Sequence, residues 1–110
     1  MLSVVARPEV AGDLAELSPA LLRAVRHLLP GLREDPLKHS QPLDYDRRIG
    51  NLGDCRKVYF DERSDIRPAG YRIVLRLRPD ELDPSEIQII SVGPRSNLEA
   101  YRRAATRLER

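Results

Sequence analysis

The sequence has no tryptophan, one phenylalanine and one cysteine among 110 residues. A single cysteine, Cys55, cannot form an internal disulfide, and so sparse a usage suits a reducing compartment. No apolar run approaches the length of a membrane span. The opening stretch Leu2 to Ala6 is far shorter than the apolar region of a signal peptide, and no basic residues precede it. A cytoplasmic, soluble protein is therefore expected. Glycine-rich phosphate loops and nucleophile elbows are missing too. Cys55 has no CxxC partner, and neither His27 nor His39 has ligand spacing around it. No metal and no cofactor are expected. His27 falls inside a helical pattern and His39 in a loop, and both read as surface residues.

What is present is charge, unevenly placed. Residues 1–54 carry 7 basic and 8 acidic side chains, whereas residues 55–110 carry 12 and 9, and 11 of those 12 cations are arginine. The planar arginine fork suits bidentate phosphate contacts, although an arginine-rich composition accounts for the bias equally well. The length allows one domain with one core, over residues 1–110.

Leu2 to Ala6 reads as a short first strand. Pro8 sits where a helix would start, and Val10, Leu14 and Leu17 follow at helical spacing. Ser18-Pro19 reads as an N-cap with proline at the first helical position. The stripe Leu21, Val25, Leu28, Leu32 marks a second amphipathic helix, which Pro30-Gly31 should kink or break. From Pro36 to Gly53 periodicity is lost, which predicts a loop long enough to be functional or mobile. Cys55 to Asp61 alternates with period two, and Tyr71 to Arg78 does so more cleanly. Ile87 to Val92 is nearly all apolar, as in a central strand covered on both faces. Gly93-Pro94 ends that strand, and Ser96 with Glu99 has the spacing of a capping box before a last helix carrying Leu98, Tyr101, Ala105 and Leu108. The fold class is α+β in the order βααβββα. A helical hairpin packs on a small antiparallel-meander sheet with a C-terminal helix.

If Val58, Phe60, Ile73, Leu75 and Leu77 pack under the hairpin, the opposite face carries Lys57, Tyr59, Arg72, Arg76 and Arg78. Cations that neutralise phosphates and a ring on which a base can stack are what RNA binding requires. A merely solvated face is the plainer alternative. The carboxylate pairs Asp44/Asp46, Asp61/Glu62 and Asp80/Glu81 all fall in expected loops, where a solvated role fits better than acid–base work.

Four blocks in order carry a family pattern. They are Gly53-Asp54-Cys55-Arg56-Lys57, Gly70-Tyr71-Arg72-Ile73-Val74, Ile89-Ile90-Ser91-Val92-Gly93-Pro94-Arg95, and Tyr101. Together they resemble toxins of the RelE/ParE superfamily across essentially the whole chain. The resemblance implies ribosome-dependent cleavage of mRNA, by attack of a ribose 2′-hydroxyl on the adjacent phosphate, without a metal. It further implies Lys57 as general base or its support, Arg72 as stabiliser of the charged phosphorane, Arg95 near the leaving 5′-oxygen and Tyr101 as the residue that positions RNA. Arg56, Arg76 and Arg78 extend the RNA-binding strip. Two positions depart from the pattern. Tyr59 stands where a second lysine is usual, so it takes a place among the candidate catalytic residues, and Pro94 replaces a basic residue. Tyr101 also lies on the apolar stripe of its helix, where core packing serves as well.

The resemblance also implies partners: a cognate antitoxin, the ribosome and mRNA, and no membrane. The same fold hosts ParE-type gyrase inhibitors, so a non-catalytic toxin acting on gyrase is the alternative, as is a protein that has kept the fold and lost toxicity.

Overall fold

The computed structural model describes residues 1–43 and 46–110. Its elements are β1 (Ser3–Ala6), α1 (Val10–Ala15), α2 (Pro19–Glu34), β2 (Gln41–Pro42), β3 (Arg56–Phe60), β4 (Tyr71–Arg78), β5 (Glu86–Pro94), a 3-10 turn (Ser96–Leu98) and α3 (Glu99–Arg107). The strands form one mixed sheet in the order β1-β5-β4-β3-β2. The expected meander β3-β4-β5 is antiparallel, and β1 joins β5 in parallel. Three helices on this sheet make the α+β fold expected.

The α2 start follows the sequence. Ser18 Oγ accepts from the Leu21 N–H at 3.2 Å, with Pro19 at the first helical position. The expected break at Pro30-Gly31 does not occur, and α2 runs unbroken to Glu34. Pro30 is solvent-exposed, where water can satisfy the carbonyl it leaves unpaired, and buried Leu32 holds the last turn to the sheet. The capping box is absent as well. Asn97 and Leu98 adopt left-handed φ near +55°, and Glu99 binds Arg103 one turn on at 2.7 Å.

The hairpin covers one sheet face with Val10, Leu21 and Leu32 against Val58, Phe60, Ile73, Leu75, Leu77, Ile87, Ile89 and Val92. The other face was expected to lie open and does not. Here α3 sets Ala100, Tyr101, Ala104 and Ala105 against Val74 and Ile90. Leu43, Ile49, Leu52 and Cys55 close the same cluster from the segment between β2 and β3. That segment, expected to be an open loop, therefore contributes core; Asp44, of the Asp44/Asp46 pair, lies outside the described residues. Small residues let α3 come close. A Cβ on Gly93 would stand 3.5 Å from Ala100 Cα, and Ser91 Oγ donates to the Ala100 carbonyl at 2.7 Å. A bulge supports this contact. Val74 pairs with Ser91 but Leu75 with Ile89, so Ile90 is an added residue, and both Ile90 and Ser91 turn toward α3.

Candidate active site

Period-two alternation puts Lys57 and Tyr59 on the α3 side of β3, and register sets Tyr59 directly opposite Arg72 on β4. Arg72 is only 7% exposed, and its guanidinium is held from several sides. Its Cζ lies 4.0 Å from the centre of the Tyr59 ring. Its Nε donates to Tyr101 Oη at 3.1 Å, and Nη1 donates to the Ala69 and Tyr71 carbonyls, each at 2.8 Å. Nη2 has no protein partner among the described residues, yet it is not among the buried unpaired atoms. Arg72 lines a cleft of about 630 Å³ with Tyr59, Arg63, Ile66 and Arg67.

Lys57 Nζ stands 5.4 Å from the centre of the same Tyr59 ring. Tyr59 is 42% exposed and borders three clefts, one of about 440 Å³ shared with His27. Arg72 lines another, and Lys57 the third, of about 240 Å³. Arg95 follows the last residue of β5, where its N–H donates to the Gly70 carbonyl at 2.8 Å, and its side chain is exposed. That contact anchors Arg95 at the same end of β4 as Arg72. Lys57, Tyr59, Arg72 and Tyr101 are thus brought into one cluster, with Arg95 beside it. The two readings of Tyr101 merge: its ring is core, 8% exposed, and its hydroxyl orients Arg72.

The rest of the expected cationic strip is placed otherwise. Arg56 shares the alternation of Val58 and Phe60, not of Lys57, and it is buried. Its guanidinium donates to Ser40 Oγ at 2.6 Å, the Ser40 carbonyl at 2.9 Å and Glu81 at 3.1 Å, so it clamps the chain after α2 and is not presented to a ligand. Arg76 donates to Gln88 at 2.6 Å and pairs with Asp54, which leaves it a sheet-to-loop tie. Arg78 is exposed, but six residues along β4 from Arg72 put it roughly 20 Å away.

Two features went unnoticed in the sequence. The first is Asp13, which sits on the apolar stripe of α1 between Val10 and Leu14, a signal in itself for a buried partner. It is 4% exposed and accepts from the Val92 N–H at 2.9 Å, from Arg107 at 2.6 and 2.8 Å, and from Arg103 at 3.2 Å. The same arginines donate to the Ile90 and Val92 carbonyls. Beyond the end of β1, the β5 edge is therefore capped by side chains of α1 and α3, which fixes α3 and with it Tyr101. Burial raises the Asp13 pKa, but the Arg107 hydrogen bond, the Val92 N–H and the two arginine charges outweigh it and hold it below 3.8. The second is His39, which lines the cleft of Lys57 and Tyr59. Sequence carries no signal for that placement. Among the described residues, no three His, Cys, Asp or Glu side chains are grouped to hold a metal. Burial, then the neighbouring Asp54, push the Cys55 thiol up to about 12, which removes it as a nucleophile. No described helix is long and apolar enough to cross a membrane.

Solved structures share this architecture. The chain is similar to a double Arg-to-Ala mutant of the E. coli toxin RelE in the free state, with 19% identity, a TM-score of 0.65 and 97% of each chain covered. A RelBE toxin–antitoxin complex from Mycobacterium tuberculosis matches at 23% identity and a TM-score of 0.61, over 86% of this chain and 98% of that one. An archaeal RelE–RelB complex from Pyrococcus horikoshii matches at 18% identity and a TM-score of 0.53, over 87% and 97%. No family model and no curated protein sequence matches the chain. The chain has the RelE-like toxin fold.

Proposed function

We propose that this protein is the toxin of a type II toxin–antitoxin pair that cleaves mRNA on the ribosome, in the cytoplasm. The observation that carries the reading is Arg72. A guanidinium that is buried, braced by a ring and a hydroxyl, and without a partner on Nη2 among the described residues is a preorganised site for a phosphate. The solved neighbours supply the toxin context, since they include RelE toxins and RelBE complexes.

In the proposed reaction the 2′-oxygen attacks phosphorus as its proton leaves. The bond from phosphorus to the 5′-oxygen breaks, a 2′,3′-cyclic phosphate forms, and the departing oxygen takes up a proton. Negative charge grows on the non-bridging oxygens, where Arg72 Nη2 donates. Lys57 adds a second cation, and Arg95 stands for the leaving group. Tyr59 supplies the platform between the cations, which suits a stacked base. Tyr101 acts through Arg72 as a positioning residue. Arg78 is left as a peripheral contact to RNA or ribosome, and Arg56 and Arg76 as structural ties.

Induced expression followed by primer extension on a reporter mRNA tests the reading. Discrete cuts inside translated codons, lost in Arg72→Ala, are the expected result. An SOS response with intact mRNA would replace it with gyrase inhibition.

A further inference from the structure

We propose that His39 is the proton acceptor for this site. The proposal rests on the RNA-cleavage reading above and adds a group which that reading lacks. Lysine, arginine and tyrosine side chains ordinarily hold their protons well above neutral pH, whereas histidine is the residue type that exchanges one near it. His39 belongs to the turn between α2 and β2, yet it lines the same cleft of about 240 Å³ as Lys57 and Tyr59. Tyr59 also borders the cleft of Arg72. A ribose phosphate lying across Tyr59 thus has Arg72 on one side, with Lys57 and His39 on the other.

The imidazole has a made seat. A Cβ on Gly31 would stand 3.2 Å from His39 Nε2 and 3.3 Å from its Cδ2, so the ring lies directly on the bare backbone of α2. Proline and glycine are the two residues that disfavour a helix interior most, and α2 carries them side by side at Pro30 and Gly31. The space that glycine leaves is filled by His39. The His39 N–H donates to the Asp35 carbonyl at 3.3 Å, which holds the turn against the helix end. Around the cleft, charged or titratable neighbours come from two elements: Lys38 from the same turn, and Lys57 and Tyr59 from β3. The α2 contribution, Leu28 with Gly31, carries no charge.

In this scheme a neutral imidazole nitrogen takes the 2′-hydroxyl proton as the 2′-oxygen bonds to phosphorus. The 5′-oxygen leaves with the electron pair of its bond to phosphorus and takes a proton from water. Lys57 remains charged beside the phosphate.

Single-turnover cleavage on programmed ribosomes, followed across pH, tests the assignment. His39→Gln is expected to slow cleavage by about 10²–10⁴-fold and to remove the loss of rate at acid pH that wild type shows. Added imidazole is expected to restore part of the rate to His39→Ala. Gly31→Leu, with a side chain too large for the space the ring fills, should displace the ring and slow cleavage, and leucine favours the helix more than glycine does. A wild-type rate and pH profile in His39→Gln, with Arg72→Ala inactive in the same assay, would remove His39 and leave RNA cleavage standing. If His39→Gln fails to fold, an unchanged rate in a folded His39→Asn overturns the proposal by itself. Wild-type protein that cleaves nothing on ribosomes at any pH overturns both readings.

Discussion

The two faces of the sheet are built on different principles. Under α1 and α2 the interior is built of large apolar side chains, with Ile73, Leu75 and Ile87 at 1% exposure or less. Under α3 the interior is small and polar. Alanines bring the helix close, while Ser91, Arg72 and the Tyr101 hydroxyl are buried and hydrogen-bonded inside it. The first face supplies most of the hydrophobic stabilisation. The second gives up part of that burial to hold one guanidinium in a fixed direction, as a site for a developing charge requires. The chain thus keeps most of its hydrophobic burial on one side of the sheet and the Arg72 guanidinium on the other.

A large effect is expected where the faces are tied together. Asp13 leaves α1, caps the β5 edge and receives Arg103 and Arg107 of α3. Asp13→Ala should lower unfolding free energy by about 3 kcal/mol, because it removes the buried acceptor of the half-buried Arg103 and Arg107 and of the Val92 N–H. Urea unfolding measures it, and a loss below 1 kcal/mol would show that the faces are held by packing alone. The sign with pH follows from the lowered Asp13 pKa. Its contribution is present above pH 3.8, the ordinary aspartate value, and is lost as pH falls through the lower folded value. Asp13→Asn should remove that acid-sensitive component.

A crossed pair of variants sharpens the contrast. Leu75→Ala should cost about 2–5 kcal/mol of stability and leave cleavage per folded molecule unchanged. Arg72→Ala should differ: a loss of about 10²–10³ in cleavage per folded molecule, beyond a stability cost of about 1.5–3 kcal/mol for its lost bond to Tyr101. Equal losses of both kinds in both variants would dissolve the division between the faces.

Tyr101→Phe is a smaller change. It keeps the ring and removes the acceptor of Arg72 Nε. A cost of about 1.5–3 kcal/mol is expected for a bond to a charged group, with a slower rate and unaltered ribosome affinity. A silent substitution would make Tyr101 core only. The smallest effect belongs to Cys55. Its thiol, at about 12, should resist alkylation at pH 8 until the protein unfolds. Prompt labelling of native protein would show that the α3 face opens.

Much of the fold was legible because its elements carry local signals. The Ser18-Pro19 start, the alternation of β3 and β4, the apolar run of β5 and the stripe of α3 are set by periods of 3.6 and 2 and by cap chemistry. The Lys57–Tyr59–Arg72 cluster was legible for the same reason, since parity fixes which side chains share a face. Where a strong local signal misled, a neighbour distant in sequence had overruled it. Pro30-Gly31 breaks an isolated helix, but the exposed Pro30 carbonyl partner, the buried Leu32 and the His39 ring on Gly31 let this one continue. Arg56 looked like part of a basic strip, and its environment is Ser40 and Glu81, 16 and 25 residues away.

By itself the sequence determined the order of elements, the two faces of each strand and the residues available for chemistry, because each of these depends on neighbours within a turn or a strand. Tertiary structure alone decided that the second face is covered, that Arg72 is braced by a tyrosine 29 residues on and that Asp13 caps a strand edge 79 residues away. It also decided that His39 lines a cleft with Lys57 and Tyr59, and His27 another with Tyr59. A buried charge needs partners from every element that surrounds it, and no local pattern encodes which distant residues those are.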